Sequence, residues 1–258
     1  MRRFWILLTG LCVVLGLVAS SAPAAETGVV VATEAIQPHM AIAGDGTIYV
    51  AFIQRGNICV AASRDGGRKY GEPVVAIDVQ GRANGGAQRG PRIGVDAKGN
   101  LAVTAPVTFD DAEYKKRYPT ADLYLVSSTD GGKTWTKPLQ VNEVSKKAPE
   151  SLHWMAVAPS GEVHVAWLDR RDRTGPGQDI YYAKVSGGRV SKNTQIASSV
   201  CECCAPGLAV DSAGNPFVAY REGGKKSSRE LFALRSTDNG KSFTRPVQLN
   251  ARDSMEDG

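Results

Sequence analysis

Three thiols within four residues, Cys201-Glu202-Cys203-Cys204, are the densest group of reactive side chains in this sequence. Thiolates are soft ligands, so three in one loop could hold Cu or Zn, with an imidazole from His39 or His153 completing the set. The same loop could instead close a local disulfide. Five cysteines occur in all, and Cys12 falls in an apolar N-terminal run. The other four, Cys59 among them, allow two bridges by count alone. Cys59, in the run Ile58-Cys-Val-Ala, reads as a buried thiol. His164, between Val163 and Val165, reads as a packed or surface histidine rather than a ligand.

These residues lie far apart in the chain, so a repeated scaffold must bring them together. Turn glycines recur at Gly46, Gly99, Gly161 and Gly214, in steps of 53, 62 and 53 residues. An apolar strand precedes each, as in Met40-Ala-Ile-Ala and Met155-Ala-Val-Ala, and another follows, as in Ile48-Tyr-Val-Ala-Phe52 and Val163-His-Val-Ala-Trp167. A third strand follows in each repeat, such as Ile58-Cys-Val-Ala and Ile180-Tyr-Tyr-Ala, and a fourth closes it. Repeats of four strands, A to D, have the strand count of a propeller blade. The expected blades cover about 38–80, 91–142, 152–197 and 206–250. Thr27–Ala32 reads as one further outer strand.

Strand direction sorts the connections onto two faces. The A–B turns and the C–D turns share one face, and the B–C loops and the links to the next blade share the other. The first face is short and regular. The second carries all the irregular segments: 80–92, 108–121, 169–179, 198–206 and 221–230. Variable loops on a regular scaffold are where binding and catalysis concentrate, so the second face is the expected site. The starts of the A strands point there towards the axis, which places His39, Arg92, His153 and the thiols near one funnel.

The C–D turns carry a shared signature, Ser-x-Asp-x-Gly-x-x-aromatic: Ser63 to Tyr70, Ser128 to Trp135 and Ser236 to Phe243. Asp bonds backbone downstream of itself, Gly supplies a positive φ, and the aromatic anchors the turn in the apolar layer. Each copy is followed by Pro and a short apolar run, at Pro73, Pro138 and Pro246. In the third repeat, Val185-Ser-Gly-Gly188 stands in its place. The signature resembles the Asp-box, or bacterial neuraminidase repeat, of sialidases and other β-propellers. The resemblance implies an all-β propeller of four-stranded antiparallel blades. Sialidase-like propellers have six blades and four are visible here. The chain therefore reads as part of a six-bladed propeller, truncated at its C-terminal side, with a genuine four-bladed ring as the alternative.

The resemblance also implies a chemistry. Sialidases grip the sugar carboxylate with an arginine cluster, because guanidinium binds carboxylate bidentately. They pair an Asp acid with a Tyr nucleophile assisted by Glu. On the loop face this chain offers Arg92, Arg170, Arg171 and Arg221 as cations and Asp110, Asp111, Asp169 and Asp172 as acids. Tyr220 and Glu222 offer the nucleophile pair. Arg92-Ile93 is similar to the family's arginine–isoleucine–proline motif, but Gly94 replaces the proline. The competing reading of Asp169-Arg170-Arg171-Asp172 through Asp179-Ile-Tyr-Tyr is a network that stabilises its blade. Trp154, Tyr114 and Tyr118 could serve as stacking platforms for a sugar. If the chain is an enzyme, the resemblance makes it a sialidase-like glycoside hydrolase needing no cofactor. The alternative is a non-catalytic interaction scaffold, metal-loaded through the Cys-x-Cys-Cys loop with Cu or Zn.

Length and composition fit this reading. In 258 residues, 28 Gly and 13 Pro punctuate many short strands. A net charge of +5, two of it from Arg2 and Arg3, is too mild to suggest a nucleic-acid partner. Residues 1–25 read as a secretory signal peptide, with Arg2-Arg3, an apolar stretch from Trp5 to Val18 and small residues at 20–25. The expected mature protein is secreted or periplasmic, free of the membrane after cleavage. Its expected partner is a glycan or acidic sugar, and the sequence does not reveal an oligomeric state.

Overall fold

The computed structural model describes residues 28–83, 85–86, 88–108, 121–145, 152–173, 177–223 and 230–250. The expected leader at 1–25, and Asp110, Asp111, Tyr114 and Tyr118, lie outside these residues.

Four antiparallel sheets follow one another along the chain, each ordered as its strands occur. The first holds β1 (Ala35–Ile42), β2 (Ile48–Gln54), β3 (Asn57–Ser63) and β4 (Val74–Ile77). The second holds β5 (Arg92–Val95), β6 (Leu101–Thr108), β7 (Ala121–Ser128) and β8 (Leu139–Gln140). The third holds β9 (His153–Val157), β10 (Val163–Asp169) and β11 (Gln178–Ser186), whose outer edge takes β12 (Arg189–Val190) and β13 (Thr194–Val200). The fourth holds β14 (Gly207–Val210), β15 (Pro216–Arg221), β16 (Leu231–Arg235) and β17 (Val247–Gln248).

The core lies between successive sheets. Tyr49, Ala51 and Ile58 of the first meet Ile93, Val103 and Ala105 of the second. Leu123 and Leu125 meet Val165, Trp167 and Tyr181, and Ala166, Leu168 and Ile180 meet Leu208, Val218 and Leu234. Strands β6 and β10 are therefore buried on both faces and carry apolar residues almost without alternation. Each such side chain contributes about 1.5–3 kcal/mol by leaving water. The inner strands β1, β5, β9 and β14 pack side by side in that order, and among the described residues β14 makes no comparable contact with β1. The sheets thus form an arc with two end faces. Met40 and Ile42 are exposed at one end, and Phe217 and Val247 at the other.

The turn face is built from repeated units. Gly46, Gly99, Gly161 and Gly214 all have positive φ, between 82° and 93°. Asp96 and Asp211 each fold the A–B turn by accepting two backbone N–H bonds, at 2.8–2.9 Å. The three Ser-x-Asp segments form one turn three times. The Ser Oγ donates to the Asp Oδ1 and accepts the Gly N–H, at 2.7–2.9 Å. The Asp Oδ1 in turn accepts the backbone N–H four residues on. Tyr70, Trp135 and Phe243 pack against three different core clusters. In the third sheet Gly187 and Gly188, both at positive φ, close a two-residue hairpin instead.

Two expectations at the strand level are corrected. Residues 28–32 form no strand. Val31 and Ala32 instead pack over Val50, Phe52, Cys59 and Ala61 on the outer face of the first sheet, because no free strand edge pairs with them among the described residues. Strand β13 runs into the expected loop 198–206 as far as Val200, because Gln178 pairs with Val200 and extends the ladder.

Candidate functional site

At the axis end of the loop face, β1, β5 and β9 bring His39, Arg92 and Trp154 together. A register shift between Ile36 and His39, with Gln37 at φ 56°, re-aims the start of β1. The His39 ring meets Trp154 edge-on with centroids 5.6 Å apart, and the Arg92 guanidinium lies 4.6 Å over the Trp154 ring. Arg92 Nη1 donates to Gly90 and Pro91 carbonyls, and Nη2 to that of Gln88, at 3.1–3.3 Å. Its polar ends are thus held by its own loop, and its flat face fixes the indole. Burial, then the neighbouring Arg92 charge, lowers the pKa of His39 to about 4, so its imidazole is neutral near pH 7. Gly94 explains the departure from proline. A Cβ there would fall 2.6 Å from Val157 Cγ2, so the missing side chain lets β9 approach β5.

The two candidate histidines join adjacent sheets. His39 Nδ1 accepts the Ile93 N–H at 3.2 Å. His153, fully buried, sits with Nε2 3.0 Å from Thr104 Oγ1. The close group of potential metal ligands comprises the Sγ atoms of Cys201, Cys203 and Cys204, with no histidine among them.

Asp169 is also enclosed. It is fully buried at the end of β10 and accepts bonds from Trp167 Nε1 at 2.9 Å and from Arg171 N, Nε and Nη2 at 2.8–3.1 Å. Arg171 reaches on to Glu143 Oε1 at 3.2 Å and Asn193 Oδ1 at 3.1 Å, and lies 4.1 Å over Tyr181. Asp172 accepts the Tyr181 hydroxyl. This is the blade-stabilising network that the sequence offered as the competing reading. Arg170 donates to the Gly177 carbonyl at 3.0 Å and lies 3.8 Å from Glu202.

The fourth sheet supplies the other side of the face. Tyr220 stacks on Phe232, with centroids 5.9 Å apart and planes at 22°. Burial raises its phenol pKa, and the nearby Glu222 carboxylate raises it further. Arg221 Nη1 lies 3.5 Å from Cys204 Sγ. Backbone bonds from Cys201 N to the Arg221 carbonyl and from Gly223 N to the Ser199 carbonyl, both 2.9 Å, tie the thiol loop to this strand end. Arg221, Tyr220 and Glu222 thus come from one strand end, whereas Arg92 and Trp154 belong to the first three sheets.

Some residues that shape the face were missed in the sequence. Arg173 donates to Asp179 at 2.5–2.9 Å and to Ser199 Oγ at 2.9 Å, which joins the loop after β10 to β13. Asn142 and Asn250 accept the N–H of Leu123 and Leu231 at 2.8 and 2.7 Å, closing their blades. Their signal was present in the paired segments Pro-Leu-Gln-Val-Asn and Pro-Val-Gln-Leu-Asn. A cavity of about 480 Å³ between the second and third sheets, lined by Leu125, Pro138, Val163 and Gly188, contains none of the candidate residues.

No family model matches the sequence, and no curated protein does. Solved structures do. An α-L-arabinofuranosidase from Fusarium graminearum, in complex with an iminosugar inhibitor, superposes with a TM-score of 0.57 at 15% identity, over 85% of this chain and 67% of that one. An α-L-arabinanase from Penicillium chrysogenum, complexed with arabinobiose, gives 0.56 at 17% identity, over 84% and 67%. An intramolecular trans-sialidase from Ruminococcus gnavus, in complex with oseltamivir carboxylate, gives 0.55 at 13% identity, over 83% and 70%. This chain spans about two thirds of each of these proteins. What it shares with them at such identities is the fold, a propeller of four-stranded antiparallel blades.

Proposed function

We propose that this protein binds or processes glycans on its loop face, in the manner of a sialidase-like propeller. One observation carries the reading. Among the described residues, Trp154, Arg92, His39, Tyr220 and Arg221 gather at strand ends on that face, while the opposite face is made of repeated turns whose Ser and Asp side chains bond within the turn. Trp154, packed on the third core cluster with Arg92 over its ring and His39 at its edge, remains half-exposed and is the aromatic group on this face that a sugar could contact. Arg221, at the neighbouring strand end, offers a cation for an acidic sugar. The glycan ligands of the arabinanase and the trans-sialidase lend support by analogy of fold.

The geometry favours binding over hydrolysis. Asp169 and Arg171 pair with one another inside the fold, and both terminal nitrogens of Arg92 donate to its own loop. A hydrolytic reading rests on Tyr220 and Glu222. With its pKa raised, the phenol needs a base to become a nucleophile, and Glu222 is the neighbouring carboxylate.

The test is a binding assay of the full chain against acidic and neutral oligosaccharides, with Trp154→Ala alongside. Loss of affinity of about tenfold or more, roughly 1.4 kcal/mol, is expected for the variant. Equal binding by the variant would remove Trp154 from the site. Release of sugar from a sialoside by the native chain but not by Tyr220→Phe would extend the role to catalysis.

A further inference from the structure

Cys201, Cys203 and Cys204 lie where β13 passes into β14, on a loop that the fold holds in place from two sides. From the fourth sheet, Arg221 accepts the Cys201 N–H at 2.9 Å through its carbonyl, and Glu222 bridges Val200. From the third, Gln178 Nε2 donates to the Glu202 carbonyl at 3.3 Å, and the Glu202 carboxylate takes the Gly177 N–H and lies 3.8 Å from Arg170. Glu202 thus points away from its flanking cysteines and acts as the tether that leaves three sulfurs grouped. Their Sγ atoms all lie within 4.8 Å of one another, with Cys201 and Cys203 3.5 Å apart.

An ion bound to all three at about 2.3 Å would hold the sulfurs roughly 4 Å apart, close to what the loop already presents. Among the described residues no His, Asp or Glu joins the group. A structural zinc site needs a fourth protein ligand. Monovalent copper is soft, has a filled d shell, and is satisfied by three thiolates in a plane. Three thiolates around Cu(I) carry a net charge of −2, which a partly enclosed loop must balance. Arg221 is placed to do so, with Nη1 3.5 Å from Cys204 Sγ and a buried Nε that has no hydrogen-bond partner. That unmet donor is costly next to neutral thiols and is relieved beside an anionic centre.

We propose that this loop is a binding site for monovalent copper, held by the thiolates of Cys201, Cys203 and Cys204 and charge-balanced by Arg221. Binding is not a redox step: Cu(I) stays Cu(I), and the three thiol protons leave to solvent. Cys201 is buried and Cys204 half-buried, whereas Cys203 is exposed. The ion therefore enters past Cys203, and the open side suits a site that exchanges its metal. The site shares Arg221 with the glycan reading, but its three ligands are not part of that reading, so copper binding and sugar binding are read out separately.

The experiment is an anaerobic titration of the reduced full chain with Cu(I) against a chromophoric Cu(I) chelator, with free thiols counted in parallel. The expected result is one equivalent of copper withheld from the chelator and three thiols protected per ion. Cys203→Ser, at an exposed position, abolishes that step, and Cys59→Ala leaves it unchanged. Arg221→Gln keeps the stoichiometry and weakens affinity about tenfold or more. The proposal is overturned if the reduced chain withholds no copper, if Cys203→Ser binds like the native chain, or if Zn(II) displaces bound Cu(I) at equal concentration.

Discussion

His164 is buried on β10 with its Nδ1 2.6 Å from the Tyr182 hydroxyl. Burial lowers its pKa from 6.5 to about 4, with Lys184 adding to the shift and Glu162 opposing it. The sign of the pH effect follows. The native imidazole is neutral, whereas the unfolded one takes a proton below about pH 6.5. Stability should therefore be level above that pH, fall between about 6.5 and 4, and lose up to about 3 kcal/mol from this group. Denaturant unfolding at a series of pH values checks this, and His164→Gln should make the fall shallower, leaving the part due to His39, whose pKa is also lowered to about 4. An equally steep fall in the variant would contradict it. Its place between two valines left His164 packed or surface-facing rather than a ligand, and the fold decides for packed. The enclosure of Asp169 was open in the sequence as the competing network reading, and its partners Trp167 and Arg171 are two residues away. That of Arg92 was not, although Gln88, Gly90 and Pro91 are near in sequence, because spacing does not encode which way a guanidinium turns.

At the scale of elements, the repeats were legible because each blade writes the same instructions. A glycine closes the A–B turn in all four, and Ser and Asp close the C–D turn in three. Ser128 shows what such an instruction contributes. It is buried, accepts the Gly132 N–H and donates to Asp130. Ser128→Ala leaves a buried N–H unpaired and should cost about 1–3 kcal/mol. The urea midpoint should drop with an unchanged slope, and ligand binding on the opposite face should not change. An unaltered midpoint would mean that the turn is not held by this bond. The outer edge of the third blade was harder to read. Without the Ser-x-Asp signature its edge divides into β12 and β13, and the register of β13 is set by pairing with β11 across the chain. Gly94 belongs to the same lesson: the reason for its missing side chain appears only once Val157 of the next blade is seen against it.

At the scale of the whole molecule, four blades pack as an arc whose two faces differ in kind. The turn face is tied from blade to blade, with Asn239 donating through its backbone to Asn215 of its own blade and through Nδ2 to Glu162 of the blade before, at 3.0 and 2.9 Å. The loop face gathers Trp154, Arg92, His39, Tyr220, Arg221 and the three thiols. That division of labour is the basis for placing function on one side. Hydrogen–deuterium exchange of the full chain, with and without acidic and neutral oligosaccharides, tests it most directly. The account predicts that a binding sugar protects the starts of β5 and β9 and the end of β15, and leaves the turns at Ser63, Ser128 and Ser236 unchanged. Protection confined to those turns, or no sugar that binds at all, would contradict it.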